Sequence, residues 1–336
     1  MEDKFGRKMK DLRISVTDKC NFRCTYCMPA EIFGSKYTFL PKKEVLTFEE
    51  ITRLSNIFIG FGVSKIRLTG GEPLLRQNLE ILVAGLAELN GIQDLSLTTN
   101  GYLLSKKAKL LKEAGLGRVT VSLDSINDEI FAKMNGVGHG IKMVIAGIEE
   151  ASRVGLSPIK VNAVVQKNVN DKEILELARY FKGTGHIVRF IEYMDVGTLN
   201  KWKLDEVVSA KDIIRIIDQE LPLEQIESNY DGEVALRYRY KDGGGEIGIV
   251  PSVTEPFCGS CTRMRLSADG HLYTCLFAEN GHDLKTPMRT GASDDELATL
   301  ISNIWGQRVD KYSEERAALP SANGPTNKVE MYHIGG

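Results

Sequence analysis

All six cysteines of the chain fall into two sets of three, Cys20/Cys24/Cys27 near one end and Cys258/Cys261/Cys275 near the other, leaving none for ordinary packing. Any fold must gather each set, which points to two metal centres. A closed structural zinc site wants four protein ligands, whereas a cubane iron-sulfur cluster held by three thiolates keeps one iron open to a ligand that is not protein. Three cysteines per site therefore suggest chemistry at both.

A formal net charge of −2 argues against a general polyanion-binding surface, so nucleic acid is not an expected partner. The start, Met-Glu-Asp-Lys-Phe-Gly-Arg, lacks the apolar stretch of a targeting signal, and no run approaches the roughly 18 apolar residues that span a bilayer. We therefore expect a cytoplasmic protein with no membrane partner, its cysteines reduced and ligating rather than bridged.

Short β-type runs alternate with helical patterns: Leu12 to Thr17, Lys65 to Thr69, Leu95 to Thr99, Val119 to Asp124, Ile159 to Val165 and Ile187 to Met194. Such alternation predicts a parallel sheet crossed by helices, the first entered through a capping box at Thr47-Phe-Glu-Glu50. Six units are too few to close an eight-fold barrel, so the expected α/β fold is a partial (β/α)6 TIM-like barrel with an open side. A doubly wound open sheet is the competing architecture.

The strands favour the barrel because each carries one apolar and one polar face, where a sheet buried on both sides would read as continuous Val, Ile and Leu. Ile14 and Val16 alternate with Arg13 and Ser15, Ile66 and Leu68 with Arg67 and Thr69, and Ile159 and Val161 with Lys160 and Asn162. Ordinary barrels fill their lumen with branched apolar side chains, so a cationic inner face implies a lumen occupied by a ligand. Arg13, Arg67 and Lys160 suit an anionic one.

The pattern changes late in the chain, and we expect a barrel over residues 1–225 and a second, cluster-binding region over 226–336 containing antiparallel hairpins. Arg237 to Tyr240 and Ile247 to Val250 flank one turn; Arg263 to Ser267 and His271 to Phe277 flank another at Asp269-Gly270. A two-residue loop there would set Cys275 opposite Met264 and turn Arg263 and Arg265 to the other face. A one-residue slip would reverse that.

The first cysteine set reads Cys20-Asn-Phe-Arg-Cys24-Thr-Tyr-Cys27 directly after the first strand, where barrels carry their catalytic loops. Phe22 and Tyr26 can shield a cluster or contact its ligand. Thr69-Gly-Gly-Glu-Pro73 ends the second strand, its glycines permitting close approach. Together these resemble the signature of radical S-adenosylmethionine (SAM) enzymes. The resemblance implies a 4Fe-4S cluster on Cys20, Cys24 and Cys27, with SAM contacted by Tyr26, Gly71, Ser122 and Met194. Its electron would cleave SAM to a 5′-deoxyadenosyl radical.

The second set narrows the resemblance. With Leu-Arg13-Ile-Ser-Val-Thr-Asp, Leu-Thr98-Thr-Asn-Gly, Arg189-Phe-Ile-Glu-Tyr-Met-Asp, Cys258-Gly-Ser-Cys-Thr-Arg-Met-Arg265 and a terminal Gly-Gly, the whole chain is similar to the GTP 3′,8-cyclase family of molybdenum cofactor biosynthesis. That family implies a second 4Fe-4S cluster on Cys258, Cys261 and Cys275 facing guanine. It also implies a triphosphate held by Arg13, Arg67, Thr98, Lys160, Arg263 and Arg265, and a Gly335-Gly336 tail in the active site. Hydrogen would leave C3′ of GTP, the C3′ radical would add to C8, and reduction would give 3′,8-cyclo-7,8-dihydro-GTP. An electron donor such as flavodoxin and a downstream cyclic pyranopterin monophosphate synthase are the implied partners, and a homodimer is compatible. Two other readings stand beside it: a radical SAM enzyme acting on a peptide, and a zinc-binding scaffold that would need fourth ligands, His271 being nearest to the second set.

Overall fold

The computed structural model describes residues 1–316 and 328–335. Six strands run in chain order: β1 (Asp11–Ser15), β2 (Lys65–Thr69), β3 (Asp94–Thr99), β4 (Arg118–Ser122), β5 (Lys160–Val165) and β6 (Ile187–Glu192). All pair parallel with their sequence neighbours, Arg13 beside Arg67 and Arg67 beside Ser96. Sequential order without a reversal excludes the doubly wound alternative.

Helices follow each of the first five strands, among them α1 (Phe48–Gly60) and α2 (Leu79–Ala87). The Thr47 hydroxyl accepts from the Glu50 amide while the Glu50 carboxylate accepts from the Thr47 amide, so the capping box forms as expected. The helices cover the apolar strand faces: Leu12, Ile14, Ile66, Leu68, Leu97, Val119 and Val161 are buried against Leu54, Phe58, Leu82 and Leu111. Truncating one such leucine to alanine costs about 2–5 kcal/mol. The opposite faces turn inward.

Beyond residue 220 come β7 (Leu223–Ile226), β8 (Leu236–Tyr240), β9 (Glu246–Val250), β10 (Arg263–Leu266), β11 (His271–Tyr273) and β12 (His282–Asp283). The two expected antiparallel hairpins are β8–β9 and β10–β11. They do not build a separate sheet. β9 pairs parallel with β6 and β10 parallel with β1, so a single open sheet runs β12-β11-β10-β1-β2-β3-β4-β5-β6-β9-β8-β7. The partial barrel is thus widened at both margins by strands from the far end of the chain. Among the described residues no helix is long and apolar enough to cross a membrane.

The β10–β11 register departs from the two-residue turn. Arg265 pairs with Tyr273 and Leu266 with Leu272, one step away from the expected alignment. The turn takes a third residue: the Ser267 amide donates to His271 O, and Gly270 sits at φ +82° at its end. A left-handed residue closing a three-residue loop is what glycine accommodates. The slip brings Cys275 in line with Arg263 and places both Arg263 and Arg265 on the cavity side.

Candidate active site

A cavity of about 280 Å³ runs from the loops at the C-terminal ends of the barrel strands to the turn that precedes β10, and all six cysteines line it. The loop after β1 carries the first three. Its backbone is locked from both sides: the Gly71 amide donates to Thr17 O and the Glu72 amide to Lys19 O, each at 2.8 Å, while the loop's Arg23 amide donates to Asn135 O at 2.8 Å. Phe22 is buried with edge-on contacts to Tyr102 and Phe131, so it anchors this loop in the core.

The Gly-Gly pair serves that packing. A Cβ on Gly71 would lie 2.3 Å from Lys19 O, and one on Gly70 would lie 2.4 Å from Thr17 O. The close approach is therefore to the cysteine loop's own backbone, a reason the sequence did not show. Glu72 is buried and accepts from Leu74 N, Thr99 Oγ1 and Asn100 N at 2.7–3.0 Å. Burial raises its carboxyl to about 7 despite those donors.

Tyr26, Gly71, Ser122 and Met194 all line the cavity. The Tyr26 hydroxyl donates to Asp124 Oδ2 at 2.9 Å, and burial raises the Asp124 carboxyl to about 6. Burial also pushes the Cys24 and Cys27 thiols up and carries Cys20 to about 12. Thiolates there need a bound cation.

The second set lies across the cavity, on the turn Cys258–Ser260, at Cys261, and at Cys275 beyond β11. Arg7 donates to Cys258 O at 2.9 Å and Arg308 to Cys261 O at 2.9 Å, so the two ends of the chain grip the turn. Burial would raise the Cys261 thiol, but the Arg263 and Arg308 guanidiniums outweigh it and bring it to about 6. Burial takes Cys275 to about 11.

Among the described residues no three His, Cys, Asp or Glu side chains converge on one ion. Thiolates on separate corners of a cubane need not converge, so the donor set suits such clusters better than the zinc scaffold. His271 is not among the residues lining the cavity that the cysteines share, and its Nδ1 lies 3.2 Å from an Asp269 carboxylate oxygen.

Between the cysteine sets stands a row of guanidiniums: Arg13, Arg67, Arg189, Arg263 and Arg265. Arg67 Nη1 donates to Thr98 Oγ1 and Thr120 Oγ1, both at 3.1 Å, and Arg189 Nε to Asn162 Oδ1 at 2.9 Å. Burial and neighbouring guanidiniums lower Arg13 well below its usual value, Arg67 and Arg265 to about 10, and Arg189 to about 9. Buried cations with so few carboxylates favour a polyanion, because only added negative charge relieves their repulsion.

Thr98 joins this row. Lys160 stands on β5 within the field of Arg189 and Arg118 but lines neither the main cavity nor the smaller one beneath it. Arg265 donates to Gly335 O, which seats the chain's end beside β1 and β2. Gly336 lies outside the described residues. Sequence reading missed Arg189, Asp124, Arg7 and Arg308. For Arg189 the signal existed, in the alternation of β6 that places it on the inner face with Ile187 and Ile191.

Comparison with known proteins agrees with this geometry. Residues 14–181 match the Radical SAM superfamily and residues 186–314 match Molybdenum Cofactor Synthesis C. A GTP 3′,8-cyclase of Acidothermus cellulolyticus is 50% identical across 100% of this chain and 99% of its own. One from Staphylococcus epidermidis is 48% identical with the same coverage. Streptococcus suis SuiB bound to S-adenosylmethionine superposes with a TM-score of 0.59 over 88% of this chain and 68% of its own. At 17% identity that likeness concerns the fold alone.

Proposed function

The chain belongs to the GTP 3′,8-cyclase family of the radical SAM superfamily, and from that premise we propose that it converts GTP to 3′,8-cyclo-7,8-dihydro-GTP in molybdenum cofactor biosynthesis. The observation that carries this reading is the meeting of two three-cysteine sets in one cavity with a row of guanidiniums between them.

Cys20, Cys24 and Cys27 would hold one 4Fe-4S cluster, and Cys258, Cys261 and Cys275 another. Bound there, the first cluster with SAM supplies a hydrogen-abstracting radical and the second offers an open iron to guanine. Tyr26, Gly71, Ser122 and Met194 form the SAM side of the cavity. Arg13, Arg67, Thr98, Arg263 and Arg265, joined by Arg189, hold the triphosphate and fix the ribose between the clusters, and Lys160 adds positive charge from behind Arg189. Planar guanidiniums suit this because they offer paired donors to phosphate oxygens. Hydrogen leaves C3′, a C3′–C8 bond forms, and one electron with one proton completes the product. Residues 1–225 serve the first cluster and supply most of the cationic row, and residues 226–336 serve the second cluster and add Arg263 and Arg265 for the substrate. Gly335, whose carbonyl accepts from Arg265, closes the site.

The reaction needs an external electron donor of flavodoxin type, in the cytoplasm, and hands its product to a cyclic pyranopterin monophosphate synthase. A homodimer is compatible with this role. Anaerobic incubation of the iron- and sulfide-reconstituted protein with SAM, dithionite and GTP tests the reading. It requires 5′-deoxyadenosine and cyclised nucleotide to appear together; deoxyadenosine alone would reopen the substrate.

A further inference from the structure

The two cysteine sets share one cavity but not one electrostatic environment. Glu72 and Asp124 are buried beside the first set, their charges acting on Cys20 and Cys24. Among the described residues no guanidinium or ammonium donates to a sulfur there: the Phe22 amide donates to Cys20 Sγ at 3.4 Å, and Arg23 turns to the carbonyls of Cys20, Phe22 and Phe33. The second set faces cations. Cys261 Sγ accepts from Arg263 Nη2 at 3.2 Å, from Arg263 Nε at 3.4 Å and from Arg308 Nη2 at 3.3 Å.

Arg308 has no donor to spare for a substrate. Its Nη1 donates to Cys261 O at 2.9 Å and its Nε to Asp310 Oδ2 at 3.0 Å, so every nitrogen is committed. That pairing also offsets the charge of Asp310, which lines this side of the cavity. The Arg308 side chain is 2% exposed, and its guanidinium carbon lies 4.6 Å from the ring centroid of buried Trp305, at the end of the helix Asp294–Gly306. Stacking and hydrogen bonds therefore fix the guanidinium plane against Cys261.

We infer that Arg308 acts through Cys261: with Arg263 it donates to the thiolate and raises the reduction potential at the second set above that at the first. An electron taken up adds negative charge to the ligating sulfurs, which N–H donors and nearby cations stabilise and ionised carboxylates oppose. A one-electron donor then reduces the second set at a higher potential than the first. Arg308 is thus a positioning residue that tunes its neighbour without touching substrate. The inference rests on the two-cluster part of the reading above and not on its substrate.

Redox titration followed by electron paramagnetic resonance, on full-length reconstituted protein without SAM or GTP, tests it. The Cys20→Ala/Cys24→Ala/Cys27→Ala and Cys258→Ala/Cys261→Ala/Cys275→Ala variants each keep one set and so assign the two potentials. The second set should titrate at the higher one. Arg308→Gln should lower it, so that the reduced-to-oxidised ratio at a fixed potential falls roughly tenfold, about 59 mV for one electron, while the first set stays in place. Arg308→Lys, which keeps the charge, should fall between. Should R308Q lose iron because Asp310 is left unpaired, Asp310→Asn compared with Asp310→Asn/Arg308→Gln reads the same shift. A second set titrating at or below the first, or a potential unmoved by loss of Arg308 in protein that keeps its iron, would overturn the inference while leaving the cyclase reading intact. A wild type whose second set held no 4Fe-4S cluster would overturn this inference and the reading beneath it together.

Discussion

The guanidinium of Arg263 donates to the sulfur of Cys261, at 3.2 Å from Nη2 and 3.4 Å from Nε, while lining both the upper and the lower cavity. One side chain thereby links the second cysteine set to the cationic row. Arg263→Gln should abolish the cyclised nucleotide yet leave slow, uncoupled formation of 5′-deoxyadenosine, because the first set is untouched. Loss of deoxyadenosine in a variant that keeps its iron would contradict this separation.

Asp3 controls the same region from the other end of the chain. Its Oδ2 accepts from Arg7 Nε at 2.5 Å and lies 3.9 Å from Arg308 Nη1, and these side chains are at most 2% exposed. Asp3→Ala would leave the buried Arg7 guanidinium without its carboxylate, while Arg308 keeps Asp310 at 3.0 Å, at a cost of about 3–5 kcal/mol. Urea unfolding should show that loss, and iron should dissociate first from the second set. A change under about 1 kcal/mol would mean water compensates the pair.

Gly71→Ala tests the packing of the first loop. The added Cβ would meet Lys19 O at 2.3 Å and Asp18 O at 2.9 Å, both backbone atoms that cannot rotate aside. The loop must shift, so we expect iron bound by the first set to fall and SAM cleavage to be lost. Cleavage at the wild-type rate would mean that the loop position is not critical.

Lys160 gives the substrate site a pH signature. Burial, and then Arg189 and Arg118, lower its ammonium to about 7. A bound polyphosphate favours the charged form and raises that value, so binding takes up a proton at pH values between the free and bound pKa. Affinity should therefore fall as pH rises above about 7 and level off below it. Calorimetry at pH 8 in two buffers of different ionisation enthalpy reads the uptake, which Lys160→Met should remove. Equal uptake in that variant would assign it elsewhere.

The six barrel strands and both cysteine sets were legible because each rests on a local pattern, strict alternation or fixed spacing. The chain beyond residue 226 was legible only within each hairpin. Nothing local in Glu246–Val250 or Arg263–Leu266 says that they pair parallel with β6 and β1, contacts that only the closed-up fold creates. The β10–β11 register failed for a related reason: Asp269-Gly270 fits two loop lengths, and Ser267 decides between them by pairing with His271. Arg7 and Arg308 were invisible as site residues, since their partners are backbone carbonyls across the chain, Cys258 O and Cys261 O.

Hydrogen abstraction from C3′ is read out by GTP deuterated at that carbon, incubated with reduced, reconstituted protein and unlabelled SAM. Deuterium should move into 5′-deoxyadenosine, in step with formation of the cyclised nucleotide. Deoxyadenosine that stays unlabelled while the nucleotide cyclises would contradict abstraction from C3′.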